Sequence, residues 1–338
     1  MRTGRAWLIV AAMLVSASSL LAQTDPCLHR SVAVNVFDNQ GEIVPDLTAD
    51  NFKASFHDQP IKILLATQSN APRVVIVLDA SETLRGEKSE WKFSIDSAKQ
   101  LINALPPGAS LGLVVFSTNV EKTISLTNDR QAIASEIDAL STGRRATRKG
   151  IRKTALWDCM GEAMSLFGAP EAGDTLYVIS NGLDNAGRLE LRNFERSMGT
   201  VRIFALVPDP WPNAVSASGI GEELLHLAAA SGGSVLIVST EPSVVRDDPA
   251  HFSPVAPPPY FDRILTGSQI VGAKETQFRR IGSFYRVEVQ LPSRLEKTSE
   301  WSLKASLKTD SGSHGLNVMY PRQLKPCEVA NSSVKTAP

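Results

Sequence analysis

An apolar run at residues 74–78 ends abruptly in the carboxylate of Asp79. Runs of β-branched residues without polar alternation are typical of strands that are buried on both faces, as in the centre of a parallel sheet. The same texture recurs further along the chain. It predicts additional buried strands at residues 111–116, 176–180, 201–207 and 235–238.

Between these strands the apolar positions follow the spacing of amphipathic helices. One such stripe, at residues 91–105, ends at the helix-breaking sequence Pro106-Pro107-Gly108. A short stretch at residues 120–126 predicts an edge strand. Strands that alternate with helices specify a doubly wound α/β fold. We therefore predict a mostly parallel, six-stranded sheet, with further helices at residues 129–140, 154–167, 189–198 and 221–230.

The two ends of the chain are β-rich. Residues 32–67 and residues 284–320 alternate apolar and polar positions between turns. Neither segment is large enough to stand alone as a sheet, so we expect both to join in one β-sandwich-like flanking module. The predicted organisation is a signal peptide (1–22), an N-terminal β segment (27–70), the α/β domain (71–240), a Pro-rich linker (241–260), a helix from 261 to 281 with a C-terminal β segment (together 261–327), and a disordered tail (328–338).

The start of the chain predicts export. Basic Arg2 and Arg5 precede an apolar stretch at residues 7–15 and small residues before Gln23. This is the layout of a cleaved secretory signal, since the apolar stretch is too short for a membrane span. No second long apolar run follows, so we expect no transmembrane segment and a secreted, periplasmic or cell-envelope location. The 35 basic and 35 acidic residues balance, so no global field favours nucleic acid.

Three cysteines have to be placed in this exported chain. Cys27 and Cys327 lie near the two ends of the mature protein, and exported proteins meet an oxidising compartment. We predict a disulfide between them. Cys159 lies instead on the apolar stripe of a predicted helix, which favours a buried free thiol over a reactive one.

Three oxygen-bearing side chains mark the end of the first buried strand. Asp79, Ser81 and Thr83 stand at alternate positions, where a turning backbone converges their oxygens outside the sheet. Chemistry in such sheets collects at the carboxyl ends of the strands. Oxygen ligands suit a hard cation such as Mg²⁺ better than zinc. The alternative is a strand-to-helix turn in which Ser81 or Thr83 merely caps the next helix.

Two further polar clusters complete a recognisable pattern. Thr154-Ala-Leu-Trp-Asp158 opens a helix, and a later strand ends in Asn181-Gly-Leu-Asp184-Asn185. Together with Asp79-x-Ser81-x-Thr83, these motifs resemble the von Willebrand factor type A domain with its metal-ion-dependent adhesion site, over about residues 73–240. The spacing Asp-x-x-Gly-x-x-Val-x-x-Leu-Thr-x-x-x-Phe at residues 38–52 resembles the exported bacterial proteins often called von Willebrand factor A-related.

The resemblance implies a divalent ion, usually Mg²⁺, held by Asp79, Ser81, Thr83 and Thr154 with a second Asp close by. It also implies an open coordination position for the acidic side chain of a partner protein. The family's strand order, 3-2-1-4-5-6, brings Asp79 and position 181 together at the switch point. Position 181 is Asn in this chain. One neutral oxygen in place of a charge predicts a weaker site.

A basic loop leads into Thr154. Such a run of charges is by default a solvated loop. Its position beside the predicted ion gives a second interpretation, in which its cations steer an acidic ligand. Near the other half of the site, Asp184 either supports the ion through a water molecule or is a turn residue. The predicted ligand-binding rim consists of Arg144, Arg145, Arg148 and Lys149.

Three classes of function compete. The first is a non-enzymatic binding protein that uses the adhesion site, and the second is a structural cell-envelope protein whose metal site is vestigial, as Asn181 suggests. The third is a Mg²⁺-dependent phosphohydrolase of the haloacid dehalogenase type, which also places an Asp at the end of strand 1. That chemistry needs a second Asp two residues later, where this chain has Ser81. We therefore expect a binding protein, then a structural protein, and an enzyme last.

Overall fold

The computed structural model describes residues 25–81, 84, 88–142, 153–209, 222–239, 261–265, 268–309 and 312–327. The predicted signal peptide, Pro-rich linker and tail lie outside these ranges and remain predictions. The same holds for Thr83 and for the predicted rim, which consists of Arg144, Arg145, Arg148 and Lys149.

Within these ranges no helix has the length and apolarity needed to cross a membrane. The helices are α1 (Lys88–Ala104), α2 (Arg130–Thr142), α3 (Leu156–Ser165), α4 (Leu191–Ser197), α5 (Glu222–Ser231) and α6 (Ser268–Gly282). The strands are β1 (His29–Phe37), β2 (Phe52–Phe56), β3 (Gln59–Ser69), β4 (Arg73–Asp79), β5 (Ser110–Phe116), β6 (Val120–Thr127), β7 (Thr175–Ile179), β8 (Arg202–Asp209), β9 (Val235–Ser239), β10 (Phe261–Leu265), β11 (Phe284–Gln290), β12 (Ser299–Thr309), β13 (Gly312–Met319) and β14 (Gln323–Leu324).

The α/β half is one sheet with the strand order β10-β9-β8-β7-β4-β5-β6. All neighbours are parallel except β6, which runs antiparallel to β5 at the edge, as the sequence predicts. Strand β4 alternates its side chains between two apolar layers. One layer contains α1, α2 and α6, and the other contains α3, α4 and α5. The sheet is therefore covered by helices on both faces, which explains why residues 74–78 carry no polar side chain.

The sheet has a seventh strand that the sequence analysis did not predict. Residues 261–281 were expected to be helical, yet Phe261–Leu265 forms β10, parallel to β9, and the helix begins only at Ser268. The prediction of six strands and of a helix from residue 261 is therefore wrong at this point. A five-residue stretch is too short for its periodicity to separate strand from helix, and the free edge of β9 supplies backbone partners.

The two β-rich ends of the chain join in one module, as expected, but the module is a closed barrel. Strands β13, β1, β11, β3, β2 and β12 pair in that order, all antiparallel, and β12 pairs back with β13. The short strand β14 adds to β12. Closure leaves these six strands with paired neighbours on both sides, which an open sandwich does not achieve.

The predicted disulfide between Cys27 and Cys327 is confirmed. Their Cα atoms lie 5.4 Å apart across a sequence separation of 300 residues. The bond links the segment before β1 to the segment after β14, so it fastens the two ends of the barrel-forming chain. Cys159 is the buried free thiol that its position on α3 predicts.

The barrel packs against the amino ends of the parallel strands. Before β7, Gly173 adopts a φ of +106° and lies so close to the ring of Phe284 that an added Cβ would come within 2.1 Å of it. Before β9, Gly232 approaches Pro321 in a similar way. Arg202, at the start of β8, donates to Asn35 of β1 at 3.2 Å. The opposite, carboxyl edge of the sheet therefore lies away from the barrel.

Candidate functional site

Asp79 ends β4 at the carboxyl edge with a carboxylate that is fully buried. Its Oδ1 accepts the backbone N–H of Ser81 at 2.8 Å, and its Oδ2 accepts the hydroxyl of Ser180 at 2.7 Å. The next residue, Ala80, donates its N–H to Phe116 at the end of β5. These hydrogen bonds fix the orientation of the Asp79 carboxylate at the carboxyl edge of the sheet.

Ser180 is the residue of the β7 end that touches Asp79. The parallel register places Leu78 opposite Ile179, so that Asp79 faces residue 180. The sequence analysis assigned the neighbouring position, Asn181, to this role. The sequence does not give the register between β4 and β7, and a register that differs by one residue places a different side chain beside Asp79.

Thr154 is held at the same edge by its backbone. Its N–H donates to Asn185 Oδ1 at 2.8 Å, and its carbonyl accepts the N–H groups of Asn185 and Ala186, both at 3.0 Å. The following residue, Ala155, donates to Ser117 O, directly beyond the end of β5. The backbone that carries Thr154 is thus tied both to the end of β5 and to the loop after β7.

Unlike the backbone of Thr154, its side-chain hydroxyl makes no hydrogen bond to the described residues. The residue is only 1% exposed, and its Oγ1 has no hydrogen-bond partner among the described residues. A buried hydroxyl without a partner costs about 1–3 kcal/mol. Such an atom at the predicted ion position fits a ligand oxygen for a metal ion.

Asn181 and Asp184 make local bonds in the loop after β7. Asn181 Oδ1 accepts the N–H of Leu183 at 3.2 Å. The carboxylate of Asp184 accepts the N–H of Gly187 at 2.8 Å and that of Trp157, in the first turn of α3, at 3.5 Å. Because Asp184 bonds to backbone N–H groups of its own loop and of the first turn of α3, these contacts agree with the interpretation of Asp184 as a turn residue.

The field at this edge is negative. Burial raises the pKa of the Cys159 thiol to about 12, and the nearby carboxylates Asp158, Asp79 and Asp184 contribute in the same direction. Asp158 itself accepts the N–H groups of Arg188 and Leu189 at 2.9 and 2.7 Å. A cation at this edge would be attracted by these charges.

The donor set is made of oxygens: a buried carboxylate at Asp79, hydroxyls at Ser81 and Thr154, and an amide oxygen at Asn181. Within the described ranges no group of three His, Cys, Asp or Glu side chains gathers around one point. The predicted ligands at this edge all offer oxygen atoms, and oxygens suit a hard cation such as Mg²⁺ better than zinc. Sequence reasoning gave no role to Ser180, which orients Asp79, or to Asn185, which holds Thr154 and was noted only as part of the motif after the strand.

The sheet order is that of a doubly wound α/β domain, and these oxygens lie at the carboxyl ends of its central strands. Residues 74–179 match the family model of the von Willebrand factor type A domain. The chain contains a von Willebrand factor type A domain, and the predicted resemblance is confirmed over these residues.

One curated relative, a UPF0353 protein of Mycobacterium avium, is 32% identical over 109 residues. The match covers 31% of this chain and 31% of that protein, so the chain spans about a third of the relative's length.

Three solved structures are similar in part. They are von Willebrand factor type A from Catenulispora acidiphila (15% identity, 89% of this chain and 74% of that chain, TM-score 0.45), the conserved hypothetical protein BatB from Bacteroides thetaiotaomicron (17%, 41% and 67%, 0.33) and the vWF domain of the type V pili tip protein Mfa5 from Porphyromonas gingivalis (21%, 34% and 40%, 0.29). Such low scores carry no inference about function.

Proposed function

We propose that this chain is a non-enzymatic binding protein whose carboxyl edge holds a divalent cation, Mg²⁺ in the first instance. Through that ion it binds an acidic side chain of a partner protein. Asp79, Ser81, Thr83 and Thr154 would hold the ion, with Asn181 in the place of a second carboxylate. The ion would supply the positive charge that the partner's carboxylate recognises.

The observation that carries the proposal is the Thr154 hydroxyl. It is buried at the edge where Asp79 lies, and three hydrogen bonds with Asn185 and Ala186 hold its backbone. Its hydroxyl oxygen has no partner among the described residues. Most buried side-chain hydroxyls in proteins have a hydrogen-bond partner, so an unsatisfied hydroxyl beside Asp79 calls for an explanation. If the Thr154 hydroxyl is a metal ligand, the ion is its partner, and this would explain why no protein group bonds to it.

The test compares two isosteric substitutions. Thr154→Val removes the proposed ligand oxygen. Thr200→Val is the matched control, because Thr200 Oγ1 is also buried without a partner among the described residues but lies before β8, at the amino edge. Mg²⁺ binding is measured by isothermal titration calorimetry, and thermal melting is recorded with Mg²⁺ and with chelator.

We expect Thr154→Val to lose Mg²⁺ binding and the Mg²⁺-dependent rise in melting temperature, while Thr200→Val keeps both. With chelator present, neither substitution should destabilise, since each removes an unsatisfied hydroxyl. If Thr154→Val binds Mg²⁺ as the parent does, or if the parent binds none, the adhesion-site proposal is wrong.

A structural cell-envelope role is the second candidate, and Asn181 favours it. Its Oδ1 already accepts the N–H of Leu183, so it acts as a turn residue without any ion. Losing one charge about 4 Å from the ion costs about 1 kcal/mol in water and about 4 kcal/mol at an effective protein dielectric. That range corresponds to roughly one to three decades in affinity.

Location and steering belong to the same proposal. The Cys27–Cys327 disulfide fits an oxidising, non-cytoplasmic compartment and so supports export. The basic loop that contains Arg144, Arg145 and Arg148 would attract an acidic partner. Neutralising these three arginines together with Lys149 should slow association with the partner and make the association rate less dependent on salt, without weakening the fold. If the neutralised variant associates at the same rate as the parent across a salt series, the basic residues serve only to keep the loop soluble.

A further inference from the structure

The flanking barrel has an open cleft of about 880 Å³ on the side formed by β12, β13 and the turn after β1. This volume lies within the range of about 300–1,000 Å³ that is usual for small-molecule sites. The barrel packs on the amino edge of the sheet, so the cleft belongs to the part of the molecule that lies away from the proposed cation site. The von Willebrand factor type A domain does not account for it.

The charges of the cleft are strongly unbalanced. Its lining contains four basic side chains and one carboxylate, namely Lys53, Arg280, Lys304, Arg322 and Asp38. The carboxylate is engaged by its own turn, since Asp38 Oδ1 accepts the N–H groups of Gln40 and Glu42 at 2.8 and 2.9 Å. The cleft therefore presents a net positive potential.

Two of the lysines are direct cross-strand neighbours. Lys304 of β12 pairs with Lys53 of β2 in the antiparallel register, and both side chains are exposed. Directly opposite residues have Cβ atoms about 4.5–5.5 Å apart, and like charges at such positions are destabilising. Among the described residues neither lysine takes part in an ion pair.

The surroundings do not relieve this repulsion. The next outward-facing pair along the two strands is Ser55 and Ser302, whose hydroxyls bond to each other at 2.7 Å. On the other side of Lys304 the outward residue is Ser306. The neighbouring strand adds a further positive charge, since Ala54 of β2 pairs with Ile61 of β3 and the next residues along the two strands are Lys53 and Lys62. A bound anion would turn this unfavourable arrangement into a favourable one.

Arg322 is held in a defined position at the cleft. Its guanidinium stacks over the Tyr320 ring at 4.6 Å and donates to the Tyr320 hydroxyl at 2.9 Å. A guanidinium that is fixed in this way loses little freedom when it binds the paired oxygens of a phosphate or carboxylate. We propose that the barrel cleft binds a small ligand that carries two or more phosphate or carboxylate groups, with Lys53 and Lys304 as its principal contacts.

The experiment titrates the full exported chain, freed of metal by dialysis, with pyrophosphate and separately with citrate at constant ionic strength. Lys53→Gln and Lys304→Gln are compared with Lys297→Gln, a change at an exposed lysine in the loop before β12 that does not line the cleft. We expect saturable 1:1 binding of at least one probe, a loss of about tenfold in affinity for each cleft variant, and no change for Lys297→Gln. The probe that binds identifies the anionic group.

A second measurement separates binding from folding. Lys304→Glu replaces the like-charge pair by an attractive one, so it should raise the melting temperature while it abolishes probe binding. The proposal is overturned if neither probe binds beyond the response to sodium chloride of equal ionic strength. It is also overturned if Lys304→Gln titrates like Lys297→Gln, or if Lys304→Glu melts lower than the parent with probe binding intact.

Discussion

Replacing Arg202 by Leu tests how the barrel is joined to the sheet. The Arg202 side chain is fully buried. It donates to acceptors from three parts of the chain: Asn35 Oδ1, Thr175 Oγ1 and the carbonyls of Gly173, Arg280 and Ile281, at 3.1–3.3 Å. Its guanidinium also stacks over the rings of Phe204 and Phe284 at 5.3 and 4.5 Å. One side chain thus connects β8, β7, the end of α6 and the barrel.

The magnitude follows from the acceptors that Leu would leave behind. Arg280 O keeps a donor in Asn35 Nδ2, and Gly173 O keeps one in the Thr175 hydroxyl. For Asn35 Oδ1 and Ile281 O the hydrogen bonds of the described residues offer no second donor. Two orphaned buried acceptors at about 1–3 kcal/mol each give an expected loss of about 2–6 kcal/mol.

Urea unfolding followed by far-UV circular dichroism measures this loss. Arg279→Leu is the control. Arg279 lies on α6, which Arg202 contacts, but it pairs with Glu42 at 3.3 Å at the exposed surface. Exposed pairs contribute about 0–1 kcal/mol. Burying a charge is itself costly, and apolar replacement of buried ionic groups sometimes stabilises. An Arg202→Leu protein as stable as Arg279→Leu, or more stable than the parent, would refute the reasoning.

Three further predictions concern other parts of the chain. Cys27→Ser should destabilise by as much as about 5 kcal/mol through the lost constraint on the unfolded chain, and a urea midpoint equal to the parent's would contradict this. Burial raises the pKa of Cys159 from 9.0 to about 12, so the stability that comes from the protonated thiol is fully present below pH 9 and is lost toward pH 12. The parent should lose about 1.4 kcal/mol per pH unit there, and Cys159→Ala should have a flatter alkaline profile. Asn185→Ala should weaken Mg²⁺ binding by releasing Thr154, whereas Asn193→Ala, at an exposed position on α4, should leave calorimetric Mg²⁺ titrations unchanged.

The buried strands of the α/β half are predictable because burial on both faces leaves no room for polar side chains. The run at residues 74–78 is the clearest case, and it becomes β4, whose residues at these positions are fully buried. The Cys27–Cys327 bridge is predictable for a related reason, since two β-rich ends without other partners must meet. In both cases the information lies in local composition and in the order of the segments.

The remaining features depend on long-range pairing that no local pattern encodes. Closure of the barrel requires β12 to pair with β13, and β10 forms because the edge of β9 is free. At the site, the contact of Asp79 with Ser180 depends on the register between β4 and β7 to a single residue. Arg202 looks like an ordinary polar residue at the start of a strand, and its burial follows only from where the barrel packs.

The most direct test of a cation site at the carboxyl edge is the melting of Asn181→Asp with Mg²⁺ and with chelator. The substitution adds the missing charge at nearly constant side-chain size and keeps the acceptor for the Leu183 N–H. Binding to the folded state alone stabilises it by about 2.7 kcal/mol when Mg²⁺ reaches 100 times its Kd. We predict that the variant's melting temperature rises with Mg²⁺ more steeply than the parent's. With chelator the variant should melt below the parent, because the new carboxylate adds to the negative charges of Asp79, Asp158 and Asp184 at this edge. Identical melting of Asn181→Asp in Mg²⁺ and in chelator would contradict the cation site.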